Sequence, residues 1–478
     1  MKSSRSFCFF LLIFFVNSSL YSQIRTLNYS LETGALGAFG HEMPFWMVSD
    51  QFGLFTPDKF NAYGRVGVFS HLNKGKKIDY DYGLQVVDRY GKNNQFYLQQ
   101  AYARLKLYFF NIQAGSINET FGNQDSSLSS GGLMWSGNAR PMPKVSVIVP
   151  DYTPIPFTKG YFEFKGGMSH GWFENNQYQK NVWLHHKYYY LQFGGNLPIH
   201  IHYGFHHFAQ WGGETTGSGK LPHSFKDFIK IFFAKSGGSD APLTEEINRL
   251  GNHLGSRNFG LDVSLKNYSI STYWQTIFED GSGKAYRNIS DGLWGIAVHT
   301  KNKAAFISGI VYEFVKTTDQ SGTYNDYWEL NGQRYLYEVA GGVHKEAGGN
   351  DNYFNHGVYS TGWTRYDMTI GTPFITSPAL YRGDGGYISN NKVKAHYLAL
   401  EGSYRNWQYK LRYSYSLNYG TNAVLFDPIR EEHSLAVNTL LNNALPWGLT
   451  LGLTAGMDKG RMYGDNLGLM VSLIKKSF

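Results

Sequence analysis

Trp407–Tyr419 reads WQYKLRYSYSLNY. Its odd positions are Trp407, Tyr409, Leu411, Tyr413, Tyr415, Leu417 and Tyr419, and its even positions are Gln408, Lys410, Arg412, Ser414, Ser416 and Asn418. Successive side chains of a strand point to opposite faces, so this stretch is a strand with one apolar and one polar face. Trp447–Met457 repeats the pattern, with Trp447, Leu449, Leu451, Leu453, Ala455 and Met457 against Gly448, Thr450, Gly452, Thr454 and Gly456. Leu261–Phe278 reads as a hairpin turning near Lys266–Asn267. Its second arm sets Tyr268, Ile270, Trp274 and Phe278 on one face, with Tyr273 and Ile277 as exceptions on the polar face.

Which face is inside follows from length and ends. The alternating segments run to about 9–13 residues, the length a tilted strand needs to cross a bilayer. Trp407, Tyr419 and Trp447 sit at their ends, where a membrane interface favours amphipathic rings. Backbone groups in lipid must all be paired, so such strands have to close into a barrel with the polar face lining its lumen. At roughly 25 residues per strand plus loop, the expected fold is an all-β transmembrane antiparallel barrel of about 16–18 strands. The C-terminal LGLMVSLIKKSF fits a last strand with Phe478 as a terminal aromatic signal. Leu467, Leu469, Val471 and Leu473 are out of step with Phe478, which predicts a bulge.

Met1–Ser22 has Lys2 and Arg5 before the apolar run Phe7–Val16, then small and polar residues, the pattern of a secretory signal peptide. Its two positive charges and no acids take the formal charge from +8 to +6 on removal. The single cysteine, Cys8, falls inside that run, so the expected mature chain, residues 23–478, has no disulfide or thiol chemistry. Mean hydropathy is −0.36, and no later apolar run is long enough for a membrane helix, which excludes a helical membrane protein. The basic excess is spread along the chain. It suits an anionic surface or polymer and does not form a nucleic-acid tract.

Two features depart from period two. Residues 222–256 predict a helical hairpin. Phe225, Phe228, Ile229, Phe232 and Phe233 share one face of SFKDFIKIFFAK (Ser224–Lys235), capped by Ser224 and Asp227. TEEINRLGNHL (Thr244–Leu254) stacks Ile247, Leu250 and Leu254. The expectation is an insertion that plugs the barrel. The stretches Asn123–Phe157 and Asn325–Asn391 lack strand period and read as loops at the extracellular rim or folded into the lumen.

Four ordered segments carry a family resemblance: WSGNARPMPKV (Trp135–Val145), FTKGYFEFKGGMSHGWF (Phe157–Phe173), SGGSDAPLTEEINRLGNHLGS (Ser236–Ser256) and DNYFNHGVYSTGWTRYDMTIGTPF (Asp351–Phe374). With them the chain resembles the Wzi capsule-assembly family of outer-membrane barrels, Bacteroidetes type. The resemblance implies a helically plugged outer-membrane barrel and lectin-like, non-enzymatic binding of capsular or related surface polysaccharide. The partners it implies are that polysaccharide, outer-membrane lipid and the barrel assembly machinery during biogenesis, with no nucleic acid and no cofactor.

Sugars offer hydroxyls and apolar CH faces. Trp and Tyr stack on those faces, while Asn and Arg supply planar hydrogen-bonding groups, and Arg also pairs with carboxylates. The candidate polysaccharide-binding residues are Trp135, Asn138, Arg140, His170, Trp172, Asn352, Tyr353, Asn355, His356, Trp363 and Arg365. The blander reading, that each ties a loop to the lumen wall, outweighs the functional one for any single residue but not for the group. The remaining motifs are weaker. GMSHG (Gly167–Gly171) matches G-x-S-x-G, but that motif works only on a strand-to-helix elbow, and here the context is β. In IHIHYGFHH (Ile199–His207), His200 and His202 could hold a metal at i, i+2, yet a polar lumen lining explains them better. GSGK at Gly217–Lys220 and Gly281–Lys284 reads as turns. A channel or glycan conduit is the alternative function.

Overall fold

The computed structural model describes residues 27–242, 245, 249–279, 283, 286–322, 327–335, 339–345 and 349–477. The predicted signal peptide with Cys8, much of the second predicted helix, and Phe478 lie outside them. Eighteen antiparallel strands close into a barrel in chain order. They are β1 Asn28–Phe39, β2 Phe60–Phe69, β3 Ile78–Tyr90, β4 Gln95–Leu107, β5 Phe110–Ser116, β6 Lys144–Pro154, β7 Phe162–Trp172, β8 Trp183–Phe193 and β9 Ile199–Trp211. The circuit continues with β10 Asn252–Ser264, β11 Tyr268–Gln275, β12 Gly292–Thr300, β13 Gly309–Lys316, β14 Val393–Tyr404, β15 Trp407–Gly420, β16 Leu425–Leu445, β17 Leu449–Gly460 and β18 Asn466–Lys476. β18 pairs with β1, from Ser30↔Lys476 to Phe39↔Leu467, so no edge is left.

The quoted stretch is β15, and its faces fall as its alternation requires. Arg412, Ser414, Ser416 and Asn418 are buried inside, while the odd residues face outward. In β17, Gly452, Thr454 and Gly456 point in and Leu453, Ala455 and Met457 point out. Tyr273 of β11 breaks phase because it faces inward, where its hydroxyl donates to Glu313. β18 pairs with β17 and β1 in unbroken register, and no bulge falls among its described residues, Leu467 to Lys476.

The connections divide cleanly between the two rims. One rim has short turns, such as 194–198, 265–267 and 405–406. The other carries the long connections 40–59, 117–143, 212–251 and 317–392. On the outward face, directly paired rings form a continuous ridge from β9 to β14: Tyr203, Phe259, Trp274, Trp294, Phe314 and His396. Their centroids are 4.9–6.2 Å apart. Such cross-strand ring pairs stabilise a sheet and suit a lipid boundary.

Two expectations are corrected. Lys144–Pro154, within the stretch read as a loop, is the wall strand β6. Its Val145 and Val147 face outward and Ser146 inward, but the register shift between Val149 and Thr153, beside Pro150, breaks the period. The second correction concerns the predicted plug. The helix Phe225–Phe232 forms, with the predicted Ser224–Asp227 capping box. However, it packs on residues whose strand partners face outward: His185, Ala209 and Trp211. It therefore lies on the outside of the wall. Leu254, assigned to the second helix, belongs to β10.

The interior is filled instead by three long connections. In the first, the helical turn α1 (Phe45–Val48) is wholly buried. Trp46 donates from Nε1 to Ser414 Oγ at 3.0 Å, and Arg412 donates to the Trp46 carbonyl at 2.7 Å. In the second, Ser129, Ser130 and Leu133 tie residues 117–143 to the wall through Glu313 and Gln275. The third, Asp351–Asn391, is held by amides. Asn391 donates to Asn352 and the Tyr353 carbonyl, and Asn390 to Thr376 and Asn418. One buried cluster joins all three segments to the wall.

Candidate functional site

The predicted site residues separate into three places. Trp135, Asn138, Tyr353 and Trp363 are sealed in the interior. Trp363 donates from Nε1 to the Met134 carbonyl at 2.8 Å, and Trp135 stacks on Phe208 of the wall at 5.8 Å. Asn138 donates to the Thr369 carbonyl and hydroxyl and to Ser377, at 2.9–3.1 Å, and accepts from the Asp50 amide. It is the pin that joins the three plug segments. Asn352, Asn355 and His356 belong to the same network. Asn355 bonds Asn352 and the Ile388 backbone, and His356 Nδ1 accepts from the amides of Val358 and Tyr359.

His170 and Trp172 lie on β7 in register with outward-facing residues of β8. The His170 ring packs 5.2 Å from Trp172, 5.6 Å from Trp183 and 5.9 Å from Trp211. They belong to the outer aromatic boundary of the wall.

Arg140 and Arg365 reach the long-connection rim. The Arg140 guanidinium lies 3.8 Å over Tyr97 and 4.7 Å over Tyr366, and donates to Gln95 at 2.5 Å. Burial holds it below the ordinary arginine value, an effect the neighbouring tyrosines oppose. Arg365 sits 5.2 Å from the Tyr366 ring and 3.8 Å from Glu174, whose carboxylate accepts the Tyr366 amide at 2.6 Å. Next to it, Asp367 accepts from the Tyr387 hydroxyl and pairs with Arg382 at 3.3 Å. Arg382 lies 4.5 Å over Tyr387, which meets Tyr178 edge-on at 5.8 Å.

Tyr366 and Asp367 are the centre of a two-residue hairpin turn between Thr364–Arg365 and Met368–Thr369. Their φ angles are 48° and 62°, the left-handed geometry of a type I′ turn that usually calls for Asn or Gly. The plug core holds the flanking residues, so the turn projects an aromatic ring and a carboxylate out of a rigid base. Sequence reading missed Tyr97, Glu174, Tyr178, Tyr366, Asp367, Arg382 and Tyr387. YD between Arg365 and Met368 has no glycine to signal a turn, and the other residues come from one strand and two separate connections.

The rim is thus a cluster of exposed and half-exposed tyrosines, three arginines and two carboxylates. Planar rings and paired charges of this kind suit a polyhydroxylated or carboxylated ligand. Gly167–Gly171 is the interior of β7, so the nucleophile elbow does not form. His186 and His206 share a hydrogen bond at 3.1 Å, as do His207 and His253 at 2.8 Å. Among the described residues no group of three His, Cys, Asp or Glu side chains is arranged to hold a metal.

Residues 47–376 match the family model of the capsule assembly protein Wzi. The chain belongs to the Wzi capsule-assembly family. Its fold is similar to a solved Wzi, described as an outer membrane protein involved in group 1 capsule assembly in Escherichia coli and as a carbohydrate-binding β-barrel. That similarity has a TM-score of 0.58 at 13% identity and covers 94% of this chain and 84% of the other. Pseudomonas aeruginosa OccK10 (TM-score 0.46, 9% identity, covering 95% and 99%) and OpdQ (0.47, 8%, 94% and 98%) are also similar. No curated protein matches significantly. At 13% identity the solved Wzi establishes the barrel fold. The rim cluster, unlike the family match, is a property of this chain's own residues.

Proposed function

We propose that this Wzi-family barrel sits in the outer membrane and holds surface polysaccharide at its long-connection rim, without catalysing a reaction on it. The observation that carries this reading is the Arg140–Tyr97–Tyr366 stack, continued by Arg365, Asp367, Arg382 and Tyr387. The carbohydrate binding described for the Escherichia coli Wzi supports it. Many weak ring and guanidinium contacts along one polymer add by multivalency, so a shallow rim suffices where a single sugar would need a deep pocket. Of the residues the sequence nominated, Arg140 serves as a contact, and Arg365, buried against Glu174 and Tyr366, holds the base of the turn. Trp135, Asn138, Asn352, Tyr353, Asn355, His356 and Trp363 serve by keeping the rim's base rigid, and His170 and Trp172 by facing the boundary of the membrane. Outer-membrane lipid and the barrel assembly machinery are the partners that the apolar outer face and closed barrel call for.

The test is binding of purified surface polysaccharide to the detergent-solubilised barrel. Arg140→Ala with Tyr366→Ala should weaken binding about tenfold or more, equivalent to about 1.4 kcal/mol, with unchanged heat-modifiable gel mobility. Unchanged binding with a folded barrel would remove the rim from the reading. The packed interior disfavours the alternative of an open conduit.

A further inference from the structure

The helix α2 (Phe225–Phe232) has one broad apolar face, part packed on the wall and part exposed. Ile231 is buried, and Phe228 and Phe232 pack on the outer wall against His185, with Phe228 also against Trp211. The Lys187 ammonium donates to the Phe232 carbonyl at the helix end and lies 4.0 Å over the Phe232 ring. The remaining edge of that face is Phe225, Ile229 and, one residue past the helix, Phe233, exposed by 79%, 40% and 62%. Spaced at i, i+4 and i+8, they form a single line along the exposed edge of the apolar face. Large apolar side chains in such a line do not face water by default.

Position says what covers them. α2 lies over the last five residues of β9 and the first five of β8, next to the long-connection rim. Immediately below it on the same outward face are Tyr189, Leu191, Phe193 and Ile201, exposed members of the apolar band. The stripe continues that band at its upper boundary. Lys226 and Lys235 are exposed beside it. Apolar residues on one side of a short helix with lysines at the margin are the pattern of a helix lying in a membrane interface.

We propose that α2 is an interfacial anchor. Phe225, Ile229 and Phe233 enter the acyl layer of the outer leaflet, and Lys226 and Lys235 meet its phosphate-bearing anionic headgroups. The helix fixes the height and rotation of the β8–β10 side of the barrel in the membrane, so that the rim is presented at a set distance from the lipid surface.

The only cysteine of the chain is Cys8, in the predicted signal peptide, so single cysteines can be placed at will. Bimane is attached to Phe225→Cys, Ile229→Cys and Phe233→Cys, with Ile201→Cys as a wall reference and Ser218→Cys, in the connection before α2, as an exposed reference. The proteins are reconstituted into phosphatidylcholine vesicles containing phosphatidylglycerol. We expect the three helix labels to be quenched by nitroxide-labelled acyl chains and shielded from iodide, as at Ile201, with the reverse at Ser218. Iodide access without lipid quenching would overturn the proposal, as would shielding from both quenchers, which would point to a second protein copy. The lysines are tested in the same vesicles. Lys226→Glu with Lys235→Glu, in a barrel of unchanged gel mobility, should at least halve lipid quenching at Ile229→Cys. The effect should be lost in pure phosphatidylcholine. Equal quenching with and without the lysines in the anionic vesicles would overturn the headgroup assignment.

Discussion

At the scale of single residues, chemistry that suits a binding site also suits a buried joint, and sequence does not tell them apart. Trp135, Asn138 and Arg140 stand within six residues of each other. The first two are locked in the interior while Arg140 lies across two tyrosines at the surface. Burial decides, and burial depends on partners more than two hundred residues away, such as Thr369 and Ser377. Asn138→Ala strips several buried groups of their partners. We expect it to destabilise the folded plug by about 2–3 kcal/mol in urea titration, while Arg140→Ala changes stability by less than about 1 kcal/mol. Asp50 supplies a pH test. Burial raises its carboxyl to about 6, against the opposing pull of Arg412, Lys410 and the Gly137 amide. A carboxyl raised in the folded state contributes stability that is complete below its ordinary value near 4 and is lost as pH rises through about 6. Asp50→Asn still accepts from Gly137, so the fall in Tm between pH 4 and 7 should be smaller than in the parent. An identical slope would mean that Asp50 is not the group responsible.

At the scale of elements, the strands were the legible part. Alternation alone set the faces of β15 and β17 and the turn after β10, because lipid outside and polar contacts inside impose period two on every strand. β6 escaped because Pro150 and a register shift interrupt its alternation after three residues. Val147 now tests its placement. Val147→Lys, on the outward face, should lower the folded fraction on a heat-modifiability gel, a cost of about 2–4 kcal/mol at mid-membrane, whereas Val147→Leu should not. The helix α2 was legible as a helix, cap included, but not as an external one. A helix with one broad apolar face fits a lumen and a membrane boundary equally, and only its contact with the outward residues of β8 and β9 separates them.

At the scale of the whole molecule, the plug is made of irregular segments held by amide and carboxylate hydrogen bonds, which carry no periodic signal in the sequence. Beneath it, towards the short-turn rim, a cavity of about 590 Å3 is lined by Glu32, Arg65, Glu401, Lys410 and Arg412. The plug thus closes the barrel above this cavity. In planar bilayers the intact protein should show no steady conductance. Replacing Asp351–Asn391 by a short Gly/Ser linker should open one. Conductance in the intact protein would favour a conduit. The central claim is that the rim holds polysaccharide, and the most direct test is the split between cell-bound and shed polysaccharide in a strain carrying Arg140→Ala with Tyr366→Ala. With the barrel at parental level in the outer membrane, the account predicts a clear rise in the shed fraction, approaching that of a deletion strain. An unchanged split beside a deletion strain that sheds would contradict it.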